Sequence, residues 1–434
     1  MSEVREYCSG PPRENHSGVD MWNRFKFGGA ELYREVAALR CGLDETAWNG
    51  EGAIKCADLL KLPLDKAPVE GQALPFDAAR SHALYKSLLG EADGLIKGKH
   101  LLVVPSGALN ALPFQVLVTE PPAADAKYGD VRWLGNRNPL TVLPAVSSLK
   151  ALRRDAKASR APEPFLGFGN PLLTGKDGTD KRAWERQACA APGRFEGARL
   201  ALVGLQQKLA TLFRGGLANV EDVRRQPPLP ETTDELCAVA RAQGIRDPDA
   251  AVHLGQRATE ARVKALSADG TLARARIVHF ATHGLVAGET ALLSAAKAEP
   301  ALMLTPPATA SEADDGLLTA SEVAALKLDA DWVILSACNT AAGESVGGDA
   351  LSGLARAFFY AGARALLVSH WYVDSNATVA LVTTAFDALK AEPKIGRAEA
   401  MRRAMASLIA SDGRMAHPAN WAPFVVVGEG GADR

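Results

Sequence analysis

Apolar residues fall into short, continuous, β-branched runs separated by longer stretches with helical spacing. The runs Leu101–Val104, Leu140–Leu143, Phe165–Gly169, Ala250–Leu254, Ile277–Thr282, Trp332–Ala337, Ala365–Ser369 and Phe424–Val427 read as buried strands. Between them, Phe76–Ile96, Ser147–Arg154, Pro230–Gln243, Thr259–Leu266, Thr319–Leu326, Asp349–Ala361, Ser375–Lys390 and Gly396–Ala410 read as helices. Alternation of this kind predicts βαβ units and a mainly parallel sheet.

About the first 30 residues are polar and aperiodic and are expected to be poorly ordered. Two short helical stretches follow between Ala30 and Leu62, where Leu32, Val36 and Leu39 share a face, and Pro63–Leu74 reads as a linker. No internal repeat with a period of about 20–50 residues is visible.

Composition changes the picture little. The chain has 434 residues, 47% hydrophobic and 23% charged, enough for a sizeable core. Its 49 basic and 50 acidic residues give a net charge of −1, which argues against nucleic acid or an anionic membrane as the main partner. No apolar run reaches the roughly 18 residues of a membrane span, and the start lacks a signal-peptide pattern. The cysteines, Cys8, Cys41, Cys56, Cys189, Cys237 and Cys338, are scattered without a CxxC pair. That spacing predicts reduced thiols and a cytoplasmic location.

Candidate chemistry sits at two strand ends. Ligands of parallel α/β sheets bind beyond the carboxyl ends of the strands. The run through Ile277 ends at His283-Gly284, and the run through Trp332 ends at Cys338. An ordinary thiol, with a pKa near 8.5, needs a base or a positive environment to act as a nucleophile. His283 is that base in one reading, with the N–H groups of Gly284 and Cys338 as an oxyanion hole. Each such donor is typically worth about 3 kcal/mol. In the other reading Cys338 is an inert strand cysteine, since free cysteine is among the most buried residue types.

Other groups lead elsewhere. His279 and His283 would share a helix face, but their flanks indicate a strand, so His279 reads as a core histidine and no metal is expected. Gly343–Gly348 lacks the lysine of a phosphate loop and reads as an active-site loop. Ser369, His370 and Trp371 end a strand on the same rim. Asp374 either caps the next helix or lines a pocket and favours a basic substrate residue.

Taken together, His283-Gly284, Asp315–Glu322, Leu335–Thr340 and Gly347-Gly348 leading to Leu354–Phe358 resemble the CHAT domain. Leu101–Pro105 with Leu112-Pro113-Phe114, Phe168-Gly169-Asn170-Pro171, and Ser369-His370-Trp371 with Asp374 resemble its further blocks. Leu285 and Val286 stand where the family often carries a second glycine. The resemblance spans about Leu74–Gly428. It places the chain with the caspases, separases and gingipains.

It implies a caspase-like, mainly parallel sheet with helices on both faces, preceded by a smaller helical N-terminal region. The division expected is 1–73, then 74–430 as the CHAT domain. The latter splits into 74–160 and a catalytic module 161–430 with an irregular insertion at about 172–229. The implied activity is that of a cysteine endopeptidase with His283 and Cys338 as its dyad and no cofactor. Its partners would be a protein substrate and an activating sensor protein; the tetratricopeptide repeats that often precede CHAT domains have no counterpart in this sequence. A catalytically silent scaffold is the alternative, and a nucleotide-binding α/β domain is a third reading.

Overall fold

The computed structural model describes residues 28–69, 71–155, 159–189, 213–214, 217–285, 299–336, 350–411 and 413–432. Cys338, the Gly343–Gly348 loop, the N-terminal 27 residues and most of 190–216 lie outside the described residues.

In chain order, β1 (Leu101–Val103), β2 (Leu140–Val142) and β3 (Leu166–Gly169) are followed by the ribbon of β4 (Phe213–Arg214) and β5 (Leu217–Ala218). Next come β6 (Val252–Leu254), β7 (Ile277–Ala281) and three short strands, β8 (Gly284–Leu285), β9 (Ala301–Met303) and β10 (Leu317–Thr319). The last are β11 (Trp332–Leu335), β12 (Ala365–Ser369) and β13 (Phe424–Gly428). The helices that matter below are α1 (Gly29–Cys41), α2 (Glu51–Leu60), α3 (Ala78–Leu89), α4 (Val146–Asp155) and α5 (Glu231–Ala242). They continue with α6 (Glu260–Ala268), α7 (Ala320–Ala324), α8 (Ala350–Ala361), α9 (Ser375–Ala391) and α10 (Arg397–Ile409).

Eight strands form one sheet in the order β1-β2-β13-β12-β11-β7-β3-β6. All of its pairings are parallel except β12 with β13. This is the mainly parallel α/β class the sequence predicts. β11 (Trp-Val-Ile-Leu) is buried along its whole length because both faces of the sheet are covered. Ile277, Ala281, Trp332 and Ile334 face one core with α5, α9 and α10, while Val278, Phe280, Val333 and Leu335 face the other with α6 and α8. Each large apolar side chain so buried contributes roughly 1.5–3 kcal/mol.

The strand order places the crevice. From β3 the chain steps outward to β6, then returns through β7, β11 and β12 on the other side. The order thus reverses at β3 and β7, the kind of switch point where such sheets bind ligands. Helix α5 closes over this point because β3 carries glycine there. A Cβ on Gly169 would lie 2.6 Å from Leu236 and 2.8 Å from the Ala281 carbonyl oxygen.

Several local expectations shift. The helix read over Phe76–Ile96 breaks at Gly90 into α3, a 3-10 turn and the short helix Asp93–Ile96. The strand read from Ala250 starts at Val252, because Pro248 stands in the first turn of a short helix Pro248–Ala251. An antiparallel sheet β10-β9-β8 follows His283, in strands too short to show a period.

The cysteines need a larger correction. Cys41 joins Cys56, and Cys189 joins Cys237, each pair with Cα atoms 5.6 Å apart. The first pair meets because α1 packs on α2, the second because the segment after Arg186 folds back onto α5. Wide sequence spacing therefore said nothing about pairing, and the cytoplasmic location loses the support drawn from reduced thiols. No helix among the described residues is long and apolar enough to cross a membrane.

Candidate active site

The two central strands deliver their ends side by side. β7 and β11 pair Ile277 with Trp332 and Phe280 with Leu335, a constant offset of 55 (332 − 277). Ser336 continues the ladder by donating its N–H to the Phe280 carbonyl, 3.1 Å. His283 and Cys338 are separated by the same offset (338 − 283 = 55), but Cys338 lies outside the described residues.

His283 is buried, 2% exposed, at the carboxyl end of β7. Its Nε2 lies 2.7 Å from the Pro227 carbonyl oxygen. A carbonyl only accepts, so Nε2 carries the proton and Nδ1 is the bare nitrogen. Nδ1 is buried and has no hydrogen-bond partner among the described residues. Burial holds the pKa of this imidazole below its usual value, against the smaller raising effect of the Pro227 bond. The ring is thereby kept neutral, with a lone pair on Nδ1.

Gly284 opens β8. The Met303 N–H donates to the His283 carbonyl at 2.9 Å, and Gly284 stands opposite Leu302. Gly284 therefore occupies a non-hydrogen-bonded position of the ribbon, with its N–H directed away from β9.

Beneath the rim lies a buried polar knot. Ser336 Oγ donates to Glu235 Oε1 at 2.5 Å, and His279 Nε2 lies 2.8 Å from Ser336 Oγ and 3.0 Å from Glu235 Oε1. His279 is a core residue, as its flanks predict, edge-on to Phe165. Helix α5 supplies Glu235 from inside, and Thr232 Oγ1 accepts from the Asn170 N–H at 2.9 Å, tying α5 to the end of β3.

A small pocket opens between these elements. Thr282, Ser336 and Ser369 line it from the strand ends, Thr232 and Glu235 from α5, and Trp371–Val373 form its outer wall. Thr378, from α9, presents a buried Oγ1 with no partner among the described residues. Tyr372 donates its hydroxyl to Glu231 Oε1 at 2.9 Å. Burial raises the Glu231 carboxyl to about 7, outweighing the lowering effect of Tyr372.

The rim residues singled out from sequence behave differently from one another. Ser369 is buried and lines the pocket, with Oγ 3.4 Å from the Leu335 carbonyl. Trp371 lines it too, its indole N–H bonded to the Ala419 carbonyl at 2.9 Å. His370 is turned into the protein, and burial with the nearby positive Arg40 holds its pKa well below the usual value. Asp374 caps α9, accepting from the N–H groups of Asn376 and Ala377 at 2.9 and 3.3 Å.

Pro227, Glu231, Glu235 and Tyr372 were not singled out from sequence. The only local signal was polar Thr232, Thr233 and Glu235 interleaved with apolar Leu236, Val239 and Ala240 on one helix. Among the described residues no group of acidic, histidine or cysteine side chains is arranged to hold a metal ion.

Comparison with known proteins finds similarity of different extents. Tetratricopeptide repeat protein 28 of Mus musculus is 29% identical over 230 residues, 46% of this chain and 9% of that protein. Its Homo sapiens counterpart is 29% identical over 228 residues, 46% of this chain and 8% of that one. The chain thus spans under a tenth of the length of these relatives. The Saccharomyces cerevisiae separase–securin complex aligns over 94% of this chain and 23% of that chain, at 11% identity and a TM-score of 0.37. The model of the CHAT domain matches residues 78–429, from the first turn of α3 past the end of β13, and so takes in every strand of the main sheet. The chain belongs to the CHAT domain family.

Proposed function

We propose that this protein is a cysteine endopeptidase working through Cys338 and His283. The observation that carries the reading is the neutral imidazole of His283, with a bare Nδ1, on the strand adjacent to the one that leads to Cys338. The Cys338 thiol passes its proton to His283 Nδ1, and the thiolate adds to the carbonyl carbon of the scissile peptide. The N–H groups of Gly284 and Cys338 hold the oxyanion. Collapse breaks the C–N bond, His283 gives the proton to the leaving amine, and a thioester remains. Water then attacks with His283 as base, releasing the carboxylic acid product and restoring the thiol.

Ser369 and Trp371 would bind the substrate residue before the cut, with the backbone of His370 behind them and Asp374 holding the start of α9. The partners in this reading are a protein substrate and an activator that opens the site, because His283 as described is closed to solvent. The same closure favours the second reading, a silent scaffold of the same fold.

Proteomic mapping of new protein termini separates the two. Cells expressing the intact chain should show cleavage sites missing with Cys338→Ala, and the variant should unfold at the same temperature. Iodoacetamide at about pH 6 should modify Cys338 faster than Cys8, because an activated thiol has a depressed pKa. Equal alkylation rates and identical termini would favour the scaffold.

A further inference from the structure

The outer wall of the pocket is held from outside the segment that matches the family. Arg40 lies in the last turn of α1, upstream of the matched residues 78–429. Its Nη1 donates to the carbonyl oxygen of His370 at 3.0 Å, across 330 residues of sequence. The same guanidinium stacks over the indole of Trp371, 5.5 Å from the ring centroid. Its Nη2 pairs with Asp44 at 2.5 Å, and Asp44 is fixed in turn by the N–H and hydroxyl of Thr46.

Residue 370 is therefore gripped on both sides of its backbone. Its N–H donates to the Pro423 carbonyl at 2.9 Å and its carbonyl accepts from Arg40. One rigid planar group donates to a carbonyl, pairs with a carboxylate and covers an aromatic face at once, which an ammonium on a flexible stem does not do. The mount is firm as well: Cys41, the next residue, is joined to Cys56 of α2.

We propose that Arg40 is a positioning residue for the pocket wall Trp371–Val373, and that the α1–α2 pair thereby sets how tightly the site binds its substrate. The proposal rests on the peptidase reading for its consequence, but not for the contact itself. Among the described residues Arg40 bonds to the His370 carbonyl and Asp44 and covers Trp371, with no bond to His283, so its loss should act on binding rather than on the chemical step.

The test compares the full chain with Arg40→Met and Arg40→Lys on a quenched-fluorescent peptide library, alongside hydrogen exchange of the segment 365–374. Arg40→Met is expected to raise KM about tenfold or more with kcat within about threefold, and to speed exchange at 365–374 while leaving α10 unchanged. Arg40→Lys should recover part of both effects. Unaltered exchange at 365–374, or faster exchange with an unchanged KM, overturns the proposal.

If Arg40→Met does not fold, Asp44→Asn, which frees the guanidinium at one end only, should shift both readouts in the same direction and by less. A wild-type chain that yields no Cys338-dependent termini in cells, and whose exchange still responds to Arg40→Met, sinks the peptidase reading and leaves the coupling. Turnover with an unresponsive wall does the reverse.

Discussion

His283 donates from Nε2 to the carbonyl of Pro227, 2.7 Å away, so the ring orientation is set by a loop that precedes α5. The bond selects one tautomer and leaves Nδ1 bare, as the proposed base requires. Burial lowers the pKa of this imidazole, so it takes up a proton only below its ordinary value near 6.5. The acidic limb of kcat/KM for an uncharged peptide should therefore lie below pH 6.5. A pH–rate profile with a limb centred above 6.5 would contradict this. His283→Gln should reduce kcat about 100-fold or more.

The knot of Glu235, Ser336 and His279 should matter for stability first. Glu235→Ala removes the acceptor for the Ser336 hydroxyl and the partner of His279 inside the core. Leaving such groups unsatisfied costs about 1–3 kcal/mol. Urea unfolding at neutral pH measures it, and a variant as stable as the parent would show the knot to be unimportant.

Glu231 stands behind the pocket wall, bonded to Tyr372, and carries a charge that switches near neutrality. Its carboxyl is raised to about 7 by burial and by the neighbouring Glu235, while Arg182 and Tyr372 act against the rise. Below that pH it is neutral, above it ionised, and Tyr372 links it to the pocket wall. The KM for a cationic peptide should fall as pH rises through about 7. Glu231→Gln should flatten this dependence. Steady-state kinetics between pH 6 and 8 would show either result.

With Asp374 engaged as a cap, Asp374→Ala should cost about 1 kcal/mol of stability. The preference for the substrate residue before the cut should stay the same. A changed preference in the peptide library would return Asp374 to the pocket.

The two disulfides give a chemical count. Four of the six cysteines are paired (6 − 4 = 2), so denatured, unreduced protein should react with no more than two equivalents of a thiol reagent. The Cys41–Cys56 bond closes a loop of 15 residues, for which chain entropy predicts about 3 kcal/mol. Replacing both cysteines by serine and following thermal unfolding measures that contribution.

Much of this architecture was legible in the chain. Ala365–Ser369 was legible because every residue is apolar or small and a buried parallel strand needs such a run. The end of β7 was legible because Ile277–Ala281 stops at His283-Gly284. Helix α5 was visible as a helix, but its inward Thr232 and Glu235 were not, because periodicity sorts residues by polarity and these polar groups are buried. Strands β8 to β10 have two or three residues each, too few for any alternation to register.

The sequence alone determined the eight apolar runs that become the main sheet, that His283 and Cys338 follow two of those runs 55 residues apart (338 − 283), and which family the motifs resemble. Only the tertiary structure decided that β7 and β11 are neighbours at that same offset, that Pro227 faces His283, and that Arg40 grips His370. It also joined Cys41 to Cys56 and Cys189 to Cys237, against the expectation from their spacing. The physical reason is range. Hydrophobic period reports what a residue shares with neighbours a few positions away, whereas a tautomer, a buried carboxyl or a disulfide is set by whichever distant segment packs against it.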